Sequence, residues 1–245
     1  MLKPGLISTL LLSSSLTVAA GLQVSPISLS LQARETANGL TLSNAGNNVV
    51  QAQVRVYHWA QDDSGDTLTS SRGLIASPPM VELQPGERQL VRIIRAKAPP
   101  QGTGAVEDAY RLLVNEVPVK LPENTSGLQF AMSYSLPVFV QPVGVVKTSP
   151  QLQWSTHLQP DGKVVALRVR NTGNGHAQLA GLSFTNVAGT STDIHQGLLG
   201  YVLPGATMNW TLKIPPSALT SGGKFKVMLN GIQTTPDVTL DTNTR

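Results

Sequence analysis

The feature that most constrains this chain is the stretch at residues 128–140, LQFAMSYSLPVFV. Every even position in it is apolar or aromatic (Leu128, Phe130, Met132, Tyr134, Leu136, Val138, Val140), and the odd positions are mostly small or polar, with Phe139 the exception. Strict alternation makes one apolar face of a β-strand, because successive side chains point to opposite sides of a sheet. A strand of that length, at ~3.3 Å per residue, spans roughly 43 Å, whereas most strands stop near five or six residues. Two readings stand side by side. It is an ordinary core strand bent at Pro137, or part of its apolar face serves a different protein.

The first residues read as a targeting segment. Lys3 supplies the positive end, residues 6–18 an uncharged apolar run, and Val18-Ala19-Ala20 a small-residue cleavage site, so the mature chain is expected to start at Gly21. That run is too short to span a bilayer, and no later stretch has about twenty uninterrupted apolar residues, which predicts an exported chain without a membrane anchor. About 225 residues remain, enough for two domains of ordinary size. The absence of cysteine rules out disulfides and thiolate metal sites and leaves stability to packing. Only 13% of residues are charged and 4% aromatic, and 22 Gly and 17 Pro accompany many Val, Leu, Thr and Ser residues, which is the composition of a β-rich chain with many turns. The net charge of +4 becomes +3 when Lys3 leaves with the signal, and the Lys and Arg residues are scattered, so no nucleic-acid surface is expected.

In chain order, residues 23–31 (QVSPISLSL) alternate as an opening strand with Pro26 at an edge or switch. A short strand at 40–43 closes on Asn44-Ala45-Gly46-Asn47-Asn48. Residues 49–59 form half-buried sheet, with Val50, Ala52, Val54, Val56 and His58 on one face, and the DDSGD segment at 62–66 reads as a loop. Pro78 and Pro79 break the sheet, Gln84-Pro85-Gly86-Glu87 makes a tight turn, and residues 89–95 form another strand. Residues 109–117 precede the long strand across the breaker-rich loop at 118–127, so the two strands are expected to form a hairpin.

Beyond Pro142-Val143-Gly144 the punctuation repeats. Asn44-Ala45-Gly46 has its counterpart in Asn171-Thr172-Gly173, and Leu83-Gln84-Pro85-Gly86 in Val202-Leu203-Pro204-Gly205. Two such turns in the same order suggest two copies of one architecture, each with six or seven short strands, the pattern of an immunoglobulin-like sandwich. The C-terminus at 234–245 is polar, and its last few residues are expected to fray.

Chemistry is hard to find. No two of His58, His157, His176 and His195 lie at metal-ligand spacing on one element, and His58 reads as a satisfied sheet histidine. There is no Gly-x-Ser-x-Gly elbow and no phosphate-binding glycine loop. The aspartates at 62, 63 and 66 lack the remaining ligands of a calcium loop. Glu107 and Asp108, as strand neighbours, point to opposite faces and make a poor acid-base pair. The expectation is a protein that is not an enzyme and takes neither metal nor cofactor.

Laid out this way, the chain resembles the periplasmic chaperones of fimbrial assembly by the chaperone-usher pathway. The resemblance covers nearly all of the mature chain and rests on Val24-Ser25-Pro26, Leu42-Ser43-Asn44, residues 54–59, the SPP, LQPG and LVR elements of residues 75–92, YRLLVNEVP at 110–118, and the long strand ending in Pro142. It implies an all-β chain of two immunoglobulin-like β-sandwich domains set at an angle, here 21–142 and 143–245. It also implies a function: binding pilin subunits by donor-strand complementation and passing them to an outer-membrane usher. The family's donor positions fall on Leu128, Phe130 and Met132, with Tyr134 next on the same face. Fully burying three such side chains contributes roughly 5 to 9 kcal/mol gross, before ordering costs. Two departures accompany the resemblance. The family's arginine and lysine that hold the pilin's C-terminal carboxylate align with Ser28 and Pro137, so Arg92 or Arg111 is the candidate replacement, and LPVFVQP resembles the archaic branch. The family's interdomain carboxylate falls on Glu107, but its arginine partner falls on Gln141. An exposed apolar edge would also favour self-association of the unloaded chain. The competing reading is a structural or adhesive component of a surface fibre built from the same sandwich.

Overall fold

The computed structural model describes residues 21–62, 64–118, 131–158, 164–220 and 222–241. Ten strands form the first half: β1 (Leu22–Ser25), β2 (Leu29–Leu31), β3 (Ala37–Asn44), β4 (Val50–Asp62), β5 (Gly65–Ser70), β6 (Leu74–Ser77), β7 (Met80–Leu83), β8 (Arg88–Arg95), β9 (Asp108–Val117) and β10 (Ser133–Val140). One sheet runs β1-β3-β8-β6, and the other runs β2-β10-β9-β4-β5, with β7 also on β4. The second half holds β11 (Leu152–Leu158), β12 (Val165–Asn171), β13 (Ala177–Asn186), β14 (Ser191–Val202), β15 (Thr207–Leu212), the short helix α1 (Pro216–Thr220), β16 (Gly223–Leu229), β17 (Ile232–Thr234) and β18 (Val238–Asp241). Its sheets run β15-β12-β11-β18 and β14-β13-β16-β17. No strand pairing joins the halves among the described residues. These are the two immunoglobulin-like sandwiches that the alternation and the repeated turns predict.

Period-2 burial builds each core. In β4, Val50, Ala52 and Val54 are buried while Gln51, Gln53 and Arg55 are not, and in β12 Val165, Leu167 and Val169 are fully buried. The opening strand does switch sheets at Pro26: β1 pairs antiparallel with β3, and β2 pairs parallel with β10. A proline without an N–H suits that crossing, because neither ladder needs its donor.

The repeated punctuation has one physical meaning in both halves. Asn44 is buried and ends β3; its Nδ2 donates to the carbonyls of Asn48 (2.7 Å) and Leu83 (3.0 Å), and its Oδ1 accepts from the Gly46 amide (2.9 Å). Asn171 is fully buried and ends β12; its Nδ2 donates to Gly175 (2.8 Å) and Val202 (3.0 Å), and its Oδ1 accepts from Gly173 (3.0 Å) and Gln151 (3.1 Å). Backbone bonds repeat the match, with Gly86 N to Asn44 O at 2.9 Å and Gly205 N to Asn171 O at 2.8 Å. Gly86 and Gly205 have φ of 78° and 80°, the left-handed conformation that the third position of such a turn requires. Each asparagine therefore ties a strand end, the turn after it and a PG turn in one network.

Three details differ from the sequence reading. The DDSGD segment is a hairpin rather than a loop, since Asp62 pairs with Gly65 and Gln61 with Asp66, and β5 continues to Ser70. The turn there is so short that its flanks belong to the strands. The polar C-terminus also holds a strand that the sequence reading does not contain, β18, pairing parallel to β11 from Trp154↔Val238 to His157↔Asp241, while the final residues expected to fray lie outside the described residues. Backbone pairing at a sheet edge asks little of side-chain polarity, so composition concealed it. Strands are also more numerous than expected because switches and interruptions split them.

Replacing Asn171 by alanine leaves the Val202 and Gly175 carbonyls buried without donors, which should lower stability by about 2–3 kcal/mol in denaturant unfolding. Asn44→Ala should act similarly on the first sandwich. A loss below roughly 0.5 kcal/mol in both would show that the networks are not structural keystones.

Candidate functional site

β10 is the strand that alternation singled out, and its two edges are in different states. Along one edge it pairs antiparallel with β9 from Ser133↔Asn115 to Val140↔Asp108. Along the other, β2 covers only Val138 to Val140. Among the described residues no strand pairs with that second edge from Ser133 to Pro137. Glu116 N donates to Met132 O at 2.8 Å and Gln141 N to Leu31 O at 2.9 Å, so even residues of β10 bond toward β9 and odd residues bond away from it. Ser133 and Ser135 therefore present their backbone groups at the open edge. Pro137, next in that row, has no N–H to present.

The even face runs continuously from the sandwich core into the open segment. Leu136, Val138 and Val140 are core residues, while Met132 and Tyr134 are partly buried against the same core. Tyr134 Oη donates to the Leu22 carbonyl in β1 at 2.7 Å, lacing the two sheets across the margin. Burial, with the Glu116 carboxylate as a second cause, pushes the Tyr134 hydroxyl above its ordinary value. Leu128 and Phe130, like the loop before them and residues 1–20, lie outside the described residues.

At the far end of β10 the odd face meets the second sandwich. Trp59, Ala109 and Phe139, all buried, share one cluster with the core of β12, β13 and β14. Phe139 stacks on the His176 ring, with centroids 3.5 Å apart and planes 2° from parallel. Beside this stack Glu107 is buried, its side chain 3% exposed. Its Oε2 lies 2.7 Å from His176 Nδ1 and accepts from the His176 amide at 2.8 Å, and its Oε1 accepts from the Thr148 hydroxyl. Burial works to raise the Glu107 carboxyl, but these hydrogen bonds and the charge of His176 outweigh it and hold the group below its ordinary value. A second polar joint comes from the tip of β4. Gln61 Nε2 donates to the Tyr201 carbonyl (3.0 Å), and its Oε1 accepts from the Leu203 amide (2.8 Å).

The structure separates the two candidate cations. Arg92 is exposed on β8, between Gly39 and Ser77, in the sheet that does not carry Trp59, Ala109 and Phe139. Its strand thus belongs to the opposite layer of the sandwich from those residues. Arg111 is half-buried on β9, directly across from Pro137. Its guanidinium carbon lies 3.7 Å from the Trp59 ring centroid and 5.1 Å from that of Tyr201, which comes from the second sandwich. Among the described residues no carboxylate is within ion-pair distance of it. Burial lowers its affinity for the proton, against the charges of Asp66 and Tyr201, yet an arginine stays cationic. Of the other acidic groups, Asp108 faces away from Glu107 and takes His58 (3.0 Å), Lys97 (3.3 Å) and the Tyr110 hydroxyl (2.8 Å), as opposite faces require.

His176 enters the sequence reading only as one of four histidines without metal-ligand spacing, with no role given to it. It is 69 residues from Glu107 and sits at no motif spacing, and the expected slot for a partner, Gln141, is not the one used.

The sequence model of one family, pili and flagellar-assembly chaperone (PapD N-terminal domain), matches residues 21–146. No curated protein sequence matches the chain. Among solved structures, the CsuC-CsuE chaperone-tip adhesion subunit pre-assembly complex from archaic chaperone-usher Csu pili of Acinetobacter baumannii is similar, at 26% identity over 91% of this chain and 100% of that one, with a TM-score of 0.66. The YadV chaperone aligns at 17% identity over 88% and 98%, TM-score 0.63, and the Salmonella enterica SafA pilin-SafB chaperone complex at 19% over 91% and 96%, TM-score 0.57. These last two share the fold.

Because folding depresses the Glu107 carboxyl, the stability it supplies is complete above its ordinary value of 4.5 and is lost as the pH falls through the lower, folded value. Thermal unfolding followed against pH should therefore show a shallower acid limb in Glu107→Gln than in the parent chain. Superimposable acid limbs would mean that the joint does not depend on the ionised carboxylate.

Proposed function

The chain belongs to the family of pili and flagellar-assembly chaperones, and from that premise we propose that it is a periplasmic, non-enzymatic chaperone that binds pilin subunits by lending them a strand and passes them to an outer-membrane usher. Residues 1–20 serve as the export signal, 21–142 form the chaperone domain that carries the lent strand, and 143–245 form the second sandwich. The relative at 26% identity was crystallised with a tip adhesion subunit from an archaic pathway, which supports the same class of client for this chain. A chaperone family also speaks against the fibre-component reading.

The observation that carries the proposal is the open edge of β10 from Ser133 to Pro137. An incoming strand can add to the backbone groups of Ser133 and Ser135 and to those that precede them, in the manner of strand addition. It has to stop at Pro137, where the donor is missing, and β2 occupies the edge from Val138 onward. The even side chains Leu128, Phe130, Met132 and Tyr134 are assigned to the client's groove. For Met132 and Tyr134 this means exchanging a partial contact with their own core for a client's, so neither residue has to be exposed to water beforehand.

Arg111 is assigned to the client's C-terminal carboxylate. It is one residue across from the position where the open edge ends, and a guanidinium can grip a carboxylate with two parallel hydrogen bonds. Arg92, on the opposite sheet, is the weaker candidate.

Co-expression with pilin subunits tests both assignments. Phe130→Asp with Met132→Asp should leave a folded chain that no longer co-purifies with subunit, and unchanged recovery of a one-to-one complex would exclude the donor role. Arg111→Ala should weaken capture by about tenfold or more while Arg92→Ala leaves it near the parent level. The reverse ranking would move the anchor to Arg92.

A further inference from the structure

We infer that Trp59 and Tyr201 are positioning residues for Arg111, two aromatic rings, one from each sandwich, that together hold the guanidinium ready for a carboxylate. The inference rests on the assignment of Arg111 as carboxylate anchor and adds a claim that assignment does not contain: docking of the second sandwich completes the anion site.

The geometry is specific. The Trp59 ring lies 3.7 Å from the Arg111 guanidinium carbon, and the Tyr201 ring 5.1 Å from it, both inside the ~6 Å over which a ring face attracts a cation. Trp59 and Tyr201 also meet each other edge to face at 5.3 Å and 81°, so neither ring can turn independently. Tyr201 is fixed in turn by Gln178, whose Nε2 donates to its hydroxyl at 2.8 Å, and by Gln61 on its carbonyl. An arginine side chain free in water has many rotamers to lose on binding, and ring contacts that hold its plane remove much of that loss beforehand. They do so without using its N–H groups, which stay available for a carboxylate.

Two further features fit a cation-holding role better than simple filling. Trp59 is buried, and its Nε1 has no hydrogen-bond partner among the described residues. Leaving an indole N–H unpaired costs free energy that a phenylalanine or leucine would avoid, but indole offers a cation the strongest ring face. The acidic neighbour is also kept in hand: Asp66 acts on Arg111 only at a distance, and its Oδ1 is engaged by Gln61 Nε2 at 2.8 Å. The guanidinium is thus held by rings and, among the described residues, is not neutralised by an ion pair.

The test uses the intact mature chain and a soluble dodecapeptide that alternates valine with serine or lysine and ends in phenylalanine, made once with a free carboxylate and once as the carboxamide. The parent should prefer the acid over the amide by about tenfold, the scale of a charge-assisted pair. In Tyr201→Leu and in Trp59→Leu that ratio should fall to about threefold or less with amide binding changed less than twofold, whereas Tyr201→Phe and Trp59→Phe should keep most of the preference. A ratio maintained in both leucine variants would overturn the positioning role and leave Arg111 as anchor. A parent that does not distinguish acid from amide would overturn the anchor itself. Because Trp59 is a core residue whose variants can misfold, nuclear magnetic resonance of the parent gives an independent reading. The Arg111 Nε proton should be displaced upfield from those of the other arginines by ring currents and move on adding the free acid but not the amide. An Arg111 signal coincident with the solvent-exposed arginines would count against the proposal.

Discussion

A carboxylate taken out of water stays ionised only if hydrogen bonds and an opposite charge replace what solvent supplied. Glu107 meets that condition through one residue, His176, which offers both its amide and its ring, and through Thr148. Everything at the junction follows from that arrangement. His176 is held where it stacks on Phe139, near the end of the strand that carries the open edge, and Tyr201 is brought over Arg111. The apolar contacts supply most of the free energy of docking. The polar joints supply its register, since Glu107 and Gln61 can be satisfied in only one placement.

Each sandwich is closed by the same local device. An asparagine at the end of a strand, with its amide facing two carbonyls and its oxygen facing one or two amides, solves the problem of burying a strand end whose backbone groups have left the ladder. A serine, with one O–H donor, could not serve both carbonyls, and an ionised aspartate has no donor at all. The open margin of the first sandwich is the complementary case. There β1 has moved to one sheet and β2 to the other, β10 is left with one covered edge, and Tyr134 reaches across to Leu22 instead of a strand filling the gap. Such an edge invites another chain, and Pro137 limits how far the invitation extends.

The sequence showed the strand and which of its faces is apolar, because a period of two is written directly in LQFAMSYSLPVFV. It also showed the repeated asparagine turns and so the pair of sandwiches. It could not rank Arg92 against Arg111. Both alternate outward from their strands, and which outward face meets the second sandwich depends on which sheet a strand joins. Nor could it find His176, whose value lies wholly in arriving beside Glu107 after two domains have docked.

What the sequence determined alone was local: alternation, turn chemistry and the missing cysteines are properties of neighbours along the chain. The family likeness extended this to an expected role. Tertiary structure decided the rest, namely that Gln61 and Glu107 reach across to Leu203 and His176, that Trp59 and Tyr201 flank one guanidinium, and that among the described residues β10 keeps an unpaired edge only as far as Pro137. Those facts depend on distances between residues far apart in the chain, which side-chain burial and hydrogen bonding fix only once both sandwiches have formed.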